Sequence, residues 1–248
     1  MRGAATLLAA LAALIVVIAA AVPAVLLARI LRHSEAHRVV RAPRACISDI
    51  YPHLRTGDVL LFASASHLPS NSAFTGTFHS HAGMLLRAGG QVYSTESQAG
   101  TELMPAPGGR EYHMPSGAAG VPLLPRLKYY TGAVYVMRLA PPLTPAQEAR
   151  VLAAAHAAHC AAHPYPTPAQ LAAACLGFRP AARHCFQHVA HLLDAAGLTH
   201  PESGGAFAER GLLRVCRDIC ALSGRPLPGG RAYGPPIELV YDLDTLRF

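Results

Sequence analysis

A cysteine attacks a carbonyl carbon as its thiolate, and such a nucleophile needs a base within hydrogen-bond reach and, usually, a third group that holds the base in one tautomer. Cys185 lies in the segment His184-Cys185-Phe186-Gln187-His188-Val189-Ala190-His191-Leu192-Leu193. At helical periodicity it shares a face with Val189, Leu192 and Ala196, while His184, His188 and His191 gather on another, so the thiol points toward the core. A buried Cys on an apolar face is by default a small inert hydrophobe. A helix beginning near Arg183 changes that, because the thiol then sits in the first turn, where the dipole and unpaired N–H groups favour thiolate; a start at Pro180 weakens the effect. His81 opens the run His81-Ala82-Gly83-Met84-Leu85-Leu86, apolar on both faces, and Glu96 closes the next such run. Two adjacent strands facing a helix would bring sulfur, imidazole and carboxylate together.

Short apolar runs bounded by turn residues predict those strands at 58–63, 81–87, 91–95 and 133–139. Ala88-Gly89-Gly90 makes the second and third a hairpin. Residues 99–125 turn to Gly, Pro, Ser and Ala with little periodicity and read as a long excursion, either a substrate-facing loop or a variable insertion. Thr144-Pro145-Ala146-Gln147 combines an N-cap, a proline at the first helical position and a capping-box glutamine, so a helix is expected from there to about His163. The second helix is expected from Pro180 or Arg183 to Ala196, stopped by Gly197. Residues 224–236 read as extended or loop, and no internal repeat is visible. Strands followed by helices predict an α+β domain with a small antiparallel sheet packed on helices.

Three stretches carry a family likeness: Leu54-Arg55-Thr56-Gly57-Asp58-Val59-Leu60-Leu61-Phe62, then Ser80-His81-Ala82-Gly83-Met84, then Val92-Tyr93-Ser94-Thr95-Glu96-Ser97. Together they resemble the N-terminal half of circularly permuted NlpC/P60 proteins, a papain-like group of bacteria and large DNA viruses. The likeness continues through Val134-Tyr135-Val136-Met137-Arg138-Leu139, Leu143-Thr144-Pro145, Pro164-Tyr165, and Cys185 opening a helix that ends in Ala195-Ala196-Gly197-Leu198, so it spans residues 54–198. It implies a permuted papain-like fold and a thiol hydrolase without a cofactor. His81 would be the base, Glu96 the residue that orients it, and Cys185 the nucleophile, its own N–H helping to hold the oxyanion. Tyr165 matches a family tyrosine near the site and would touch substrate. The departure follows the cysteine, where the family commonly has Cys-Ser-Glu-Leu-Val and this chain has Cys185-Phe186-Gln187-His188-Val189. Phe186-Gln187-His188 is also similar to the Asn-Cys-Glu-His-Phe-Val motif of the lecithin:retinol acyltransferase group, which moves acyl chains between lipids and has a second His where this chain offers Tyr93 or Ser94. The substrate therefore stays open between a peptide or other amide and an acyl lipid ester or thioester, cleaved or transferred.

Residues 4–28 carry no charge and are interrupted only by Thr6 and Pro23. A run of about 25 apolar residues is long enough to span a bilayer and longer than a signal-peptide core, so an uncleaved transmembrane helix is expected over a cleaved signal. Arg29, Arg32, Arg38, Arg41 and Arg44 crowd its C-terminal flank, which places the main domain on the cytoplasmic side and lets the arginines meet anionic headgroups. The expected organisation is an anchor at 1–32, a basic juxtamembrane linker at 33–50 and a catalytic domain at 51–248. The net charge of +7 is scattered beyond the flank, with no basic run interleaved with aromatics, so nucleic acid is not an expected partner. The six cysteines form no CxxC pair, and reduced thiols are the default. Two other functions compete. One is a catalytically silent membrane adaptor or lipid-binding protein of the same fold, which has no chemical reason to retain His81, Glu96 and Cys185 together. The other is a metal-binding protein using His156, Cys160 and His163, or His184, His188 and His191, on helical faces.

Overall fold

An unbroken apolar run such as Val59-Leu60-Leu61-Phe62 is satisfied by a strand covered on both faces, and the computed structural model builds the domain around such strands. It describes residues 42–64, 79–105, 111–175, 182–198 and 211–241. In chain order the elements are β1 (Arg44–Cys46), α1 (Ile47–Ile50) with a 3-10 turn at Tyr51–His53, β2 (Val59–Ser64), β3 (His81–Ala88), β4 (Gln91–Gln98), β5 (Glu102–Pro105), β6 (Glu111–Met114), β7 (Gly117–Pro122) and α2 (Leu123–Tyr129). There follow β8 (Gly132–Met137), β9 (Leu139–Ala140), α3 (Pro145–Cys160), α4 (Pro168–Cys175), α5 (Cys185–Ala195), α6 (Leu212–Cys220), β10 (Pro226–Leu227), β11 (Arg231–Tyr233) and β12 (Ile237–Val240). The expected anchor at 4–28 lies outside the described residues, among which no helix is long and apolar enough to cross a membrane.

The main sheet has seven strands in the order β1-β12-β8-β2-β3-β4-β7. All pairs are antiparallel except β1 with β12. Alternation along the central strands sends Val59, Leu61, Ala82 and Met84 to one side, into a core shared with Val151, Val189, Leu192 and Val215 of α3, α5 and α6. Leu60, Phe62 and Leu85 go to the other, against Ile47 and Ile50 of α1 and Leu123 and Leu127 of α2. The architecture is mixed α+β, with helices on both faces of the sheet.

Several boundaries differ from those expected. Residues 44–50, expected within the linker, are folded onto the sheet: β1 pairs with β12, and Ile47 and Ile50 are buried. Residues 99–125 are not one long loop, because they hold the β5–β6 hairpin, the sheet strand β7 and part of α2. The Gly-Ala-Ala-Gly of β7 conceals a strand, and the segment that follows α3 meets its start at backbone distance. Ala118 N–H donates to the His163 carbonyl at 3.1 Å, and a Cβ on Gly117, whose φ is +99, would collide with that same carbonyl. Residues 224–236 contain β10 and β11, which form a small sheet with β9.

The helix starts follow their chemistry. Gln147 N–H donates to Thr144 Oγ1 at 3.3 Å and Thr144 N–H to Gln147 Oε1 at 3.0 Å, the reciprocal capping box. α3 ends at Cys160, short of His163, and α5 begins at Cys185 and stops before Gly197, whose φ is +71. Gly117→Ala is expected to lower stability by about 1–3 kcal/mol, read from the urea midpoint, because it forces a disfavoured φ and pushes the His163-Pro164 segment off β7.

Candidate functional site

Directly opposed residues of neighbouring strands share a face of the sheet. Phe62 opposes His81, Gly83 opposes Glu96, and Leu85 opposes Ser94. Since Phe62 and Leu85 belong to the α2 side, His81, Gly83, Glu96 and Ser94 do as well. Gly83 stands between the carboxylate and the imidazole. A Cβ there would lie 2.8 Å from Glu96 Cγ and 3.1 Å from Ser94 Oγ. Its absence opens the corridor through which Glu96 Oε2 reaches His81 Nε2 at 2.7 Å.

Glu96 has no exposed surface, and a buried carboxylate stays ionised only when its oxygens are hydrogen-bonded and a cation is near. Ser94 Oγ donates to Oε1 at 2.6 Å. Arg126 Nε donates at 3.0 Å to Oε1 and 3.2 Å to Oε2, and Nη2 donates to Oε2 at 3.0 Å. The guanidinium lies 5.2 Å from the centroids of both Phe62 and Tyr130, whose rings meet edge-on at 5.0 Å beside it, and its Nη1 reaches the half-exposed Glu102 at 3.2 Å. Burial raises the Glu96 carboxyl, but the Arg126 charge and the His81 hydrogen bond outweigh it and hold the group well below the usual carboxylate range.

Cys185 is the first residue of α5, among the N–H groups that lack intrahelical partners. Its sulfur is fully buried. It is coupled electrostatically to the His81 ring, whose Nδ1 is the nitrogen left over by Glu96, and to the Tyr165 hydroxyl. On another side His184 brings Nδ1 to 3.4 Å and Nε2 to 3.8 Å. Burial pushes the thiol up, yet the charges of His184 and His81 and their hydrogen bonds bring it down to about 5. Burial likewise opposes a proton on His81, but the thiolate charge, then the hydrogen bonds to Cys185 and Glu96, lift the imidazole to about 10. The resting pair is therefore thiolate and imidazolium. Burial and the neighbouring thiolate raise the Tyr165 hydroxyl, which stays protonated and donates to the sulfur.

The structure thus brings Cys185, His81, Glu96 and Tyr165 together. The reasoning from sequence missed Arg126, His184, Ser94 and the role of Gly83. Arg126 carried a readable signal: at helical spacing it joins Leu123 and Leu127 on one apolar face, where a charge demands a buried partner. The histidine stripe of α5 separates in space, with His184 on the sulfur and His188 turned inward onto Thr95 Oγ1 at 2.9 Å. Burial first, then the nearby charges of His191 and Arg183, hold His188 down to about 3, so it is neutral. On α3, His156 and Cys160 meet at 3.5 Å on the surface. Among the described residues no three His, Cys, Asp or Glu side chains are grouped to hold a metal ion, which leaves the metal-binding alternative without a site there. A cavity of about 240 Å³ opens between α3 and the sheet, lined by Leu86, Tyr93, Thr95, Leu152 and His156, and none of His81, Glu96 and Cys185 lines it.

No protein-family model and no curated protein matches this chain. Among solved structures it is similar to the metalloprotein yiiX from Escherichia coli O157:H7, at 14% identity over 76% of this chain and 98% of that one, with a TM-score of 0.42. A likeness that distant carries no argument about chemistry.

Arg126→Met strands the Glu96 charge and is expected to cost about 3–5 kcal/mol of stability at neutral pH, against less than ~1 kcal/mol for Glu102→Gln on the wetter side of the same guanidinium. Both are read by urea unfolding. Because the Glu96 carboxyl is depressed in the folded state, its contribution is complete above its ordinary value of 4.5 and is lost as pH falls below it. The stability gap between the wild type and Glu96→Gln should accordingly narrow as unfolding is repeated at successively more acidic pH.

Proposed function

We propose that this chain is a thiol acyl-enzyme of the permuted NlpC/P60 papain-like type, in which Cys185 attacks a carbonyl carbon and His81 manages the proton. The observation that carries the reading is the line of hydrogen bonds from Arg126 through Glu96 to His81, an imidazole coupled electrostatically to a buried sulfur at the first position of a helix. In acylation the thiolate forms an S–C bond while the carbonyl electrons move onto oxygen. The Cys185 N–H, at the positive end of the helix dipole, and the Tyr165 hydroxyl are the donors for that oxyanion. Collapse breaks the bond to the leaving group, which departs with the proton of His81. Water or a second acceptor then gives its proton to His81, attacks the thioester and expels the thiolate.

The electrostatics favour this order. The thiolate charge is the strongest influence raising His81. Acylation neutralises the sulfur, so the imidazole loosens its proton at the moment a leaving group needs it. Glu96 keeps the ring in one orientation throughout, with Arg126 holding the carboxylate ionised. The substrate class is a peptide amide or an acyl lipid, and the apolar segment 4–28 would hold the domain against a membrane on its cytoplasmic side.

The test is incubation of the full chain with an activated acyl thioester, followed by intact and peptide mass spectrometry. The expected result is one acyl group on Cys185, none in Cys185→Ala, and a slowing of about 10²–10⁴-fold in His81→Ala. An adduct that survives in Cys185→Ala would overturn the reading. In the wild type the acylation rate should be level between the protonation of Cys185 near pH 5 and the deprotonation of His81 near pH 10, falling on either side.

A further inference from the structure

The cavity between α3 and the sheet takes no part in the mechanism above, and at about 240 Å³ it exceeds the roughly 150 Å³ apolar cavity that takes up benzene. Leu86, Tyr93, Leu152 and Ala155 give it an apolar wall, and Thr95 and Gly120 complete it on the sheet side. Gly120 of β7 is directly opposite Thr95 of β4. Unlike Gly117 it has no positive φ, the register of β7 with β4 runs unbroken past it, and a Cβ on it would meet nothing nearer than the Ser94 carbonyl at 4.0 Å. Neither its backbone nor its neighbours require a glycine. A glycine within a strand weakens it, and is one mark of a place where a ligand comes close.

The Thr95 hydroxyl is the second observation, because it lines this cavity from a residue only 3% exposed. Among the described residues its side-chain partner is His188 Nε2 at 2.9 Å. His188 is neutral and so carries one N–H. Its Nδ1 meets no partner, and neither does Nη1 of Arg183, whose charge acts on the ring. A proton on Nδ1 would leave two buried donors in one neighbourhood with nothing to accept either. A proton on Nε2 leaves Nδ1 a bare lone pair, which suits the positive charge of Arg183. Nε2 therefore donates to Thr95 Oγ1, and the hydroxyl hydrogen of Thr95 has no acceptor among the described residues. A buried donor in that position calls for an acceptor from outside the chain.

We propose that this cavity binds a small apolar molecule bearing one neutral carbonyl oxygen, to which the Thr95 hydroxyl donates, with Gly120 leaving it room. The apolar wall takes the body of the molecule, on the scale of a benzene ring with a short substituent. The oxygen is neutral because a single hydroxyl cannot replace the water that an ionised carboxylate would lose on entering. No carboxylate lines the cavity to hold a cationic head in its place. None of His81, Glu96 and Cys185 lines it either, so the site stands or falls independently of the enzyme reading.

The experiment is equilibrium dialysis of the full chain in detergent micelles against acetophenone, against ethylbenzene, which has nearly the same shape without the oxygen, and against benzoate. Uptake by the micelle rises in proportion to concentration, whereas a site saturates. The expected result is saturable uptake of acetophenone, roughly three- to tenfold tighter than ethylbenzene, the worth of one hydrogen bond. Thr95→Val should weaken acetophenone to the level of ethylbenzene and leave ethylbenzene where it was. Gly120→Leu, whose side chain would grow into open space beside Thr95, should abolish saturable uptake of both. Absence of saturation in the wild type would overturn the proposal, as would equal affinity for the ketone and ethylbenzene, tighter binding of benzoate than of the ketone, or unchanged uptake in Gly120→Leu. If Thr95→Val fails to fold because it strands the His188 N–H, the probes on the wild type and on Gly120→Leu carry the test.

Discussion

A carboxylate shut away from water has to be neutralised by the protein, and the arrangement of this domain follows from how Glu96 is neutralised. An unpaired ion in an apolar interior costs several kcal/mol even after relaxation. Here a guanidinium, a hydroxyl and an imidazole meet the two oxygens. Arg126 is supplied by α2, which is placed by β7, which in turn pairs with β4 on the side away from His81. The edge of the sheet is thereby part of the site although it carries no reacting group. Phe62 and Tyr130 close over the guanidinium and exclude the water that would screen it.

From that fixed charge the polarity passes inward. Glu96 orients His81, and His81 faces a sulfur at the positive end of α5, with a second imidazole on another side. The sulfur lies on the face of the sheet covered by α3, α5 and α6, in the core with Val189 and Leu192, while Glu96 lies on the α2 face. His81 can touch both because it is the first residue of β3, where the strand end lets a ring reach around the sheet. A histidine further along β3 would be committed to one face.

Much of this was legible in the sequence because strand and helix periodicities are local. His81 and Glu96 sit on adjoining strands of a hairpin announced by Gly89-Gly90, and Cys185 opens an amphipathic helix ended by Gly197. The family likeness, not periodicity, pointed to Tyr165. What stayed hidden depends on close approach between distant segments. β7 looks like a loop because it is made of glycines and alanines, and Gly117 is required where the His163 carbonyl, just past the end of α3, comes too near for a side chain. His184 falls outside the face that Cys185 defines on a helical wheel, but as the N-cap its backbone is extended rather than helical, with φ −67 and ψ 156, and the wheel does not apply to it. Gly83 reads as a weak point in a strand; only the path of the Glu96 side chain explains it.

The base and its carboxylate partner occupy one tight hairpin, whereas the sulfur arrives from a helix almost ninety residues later in the chain. The surroundings that set the character of the thiol therefore exist only where α5 is packed against β3 and β4, and a chain with that helix undocked holds an ordinary cysteine.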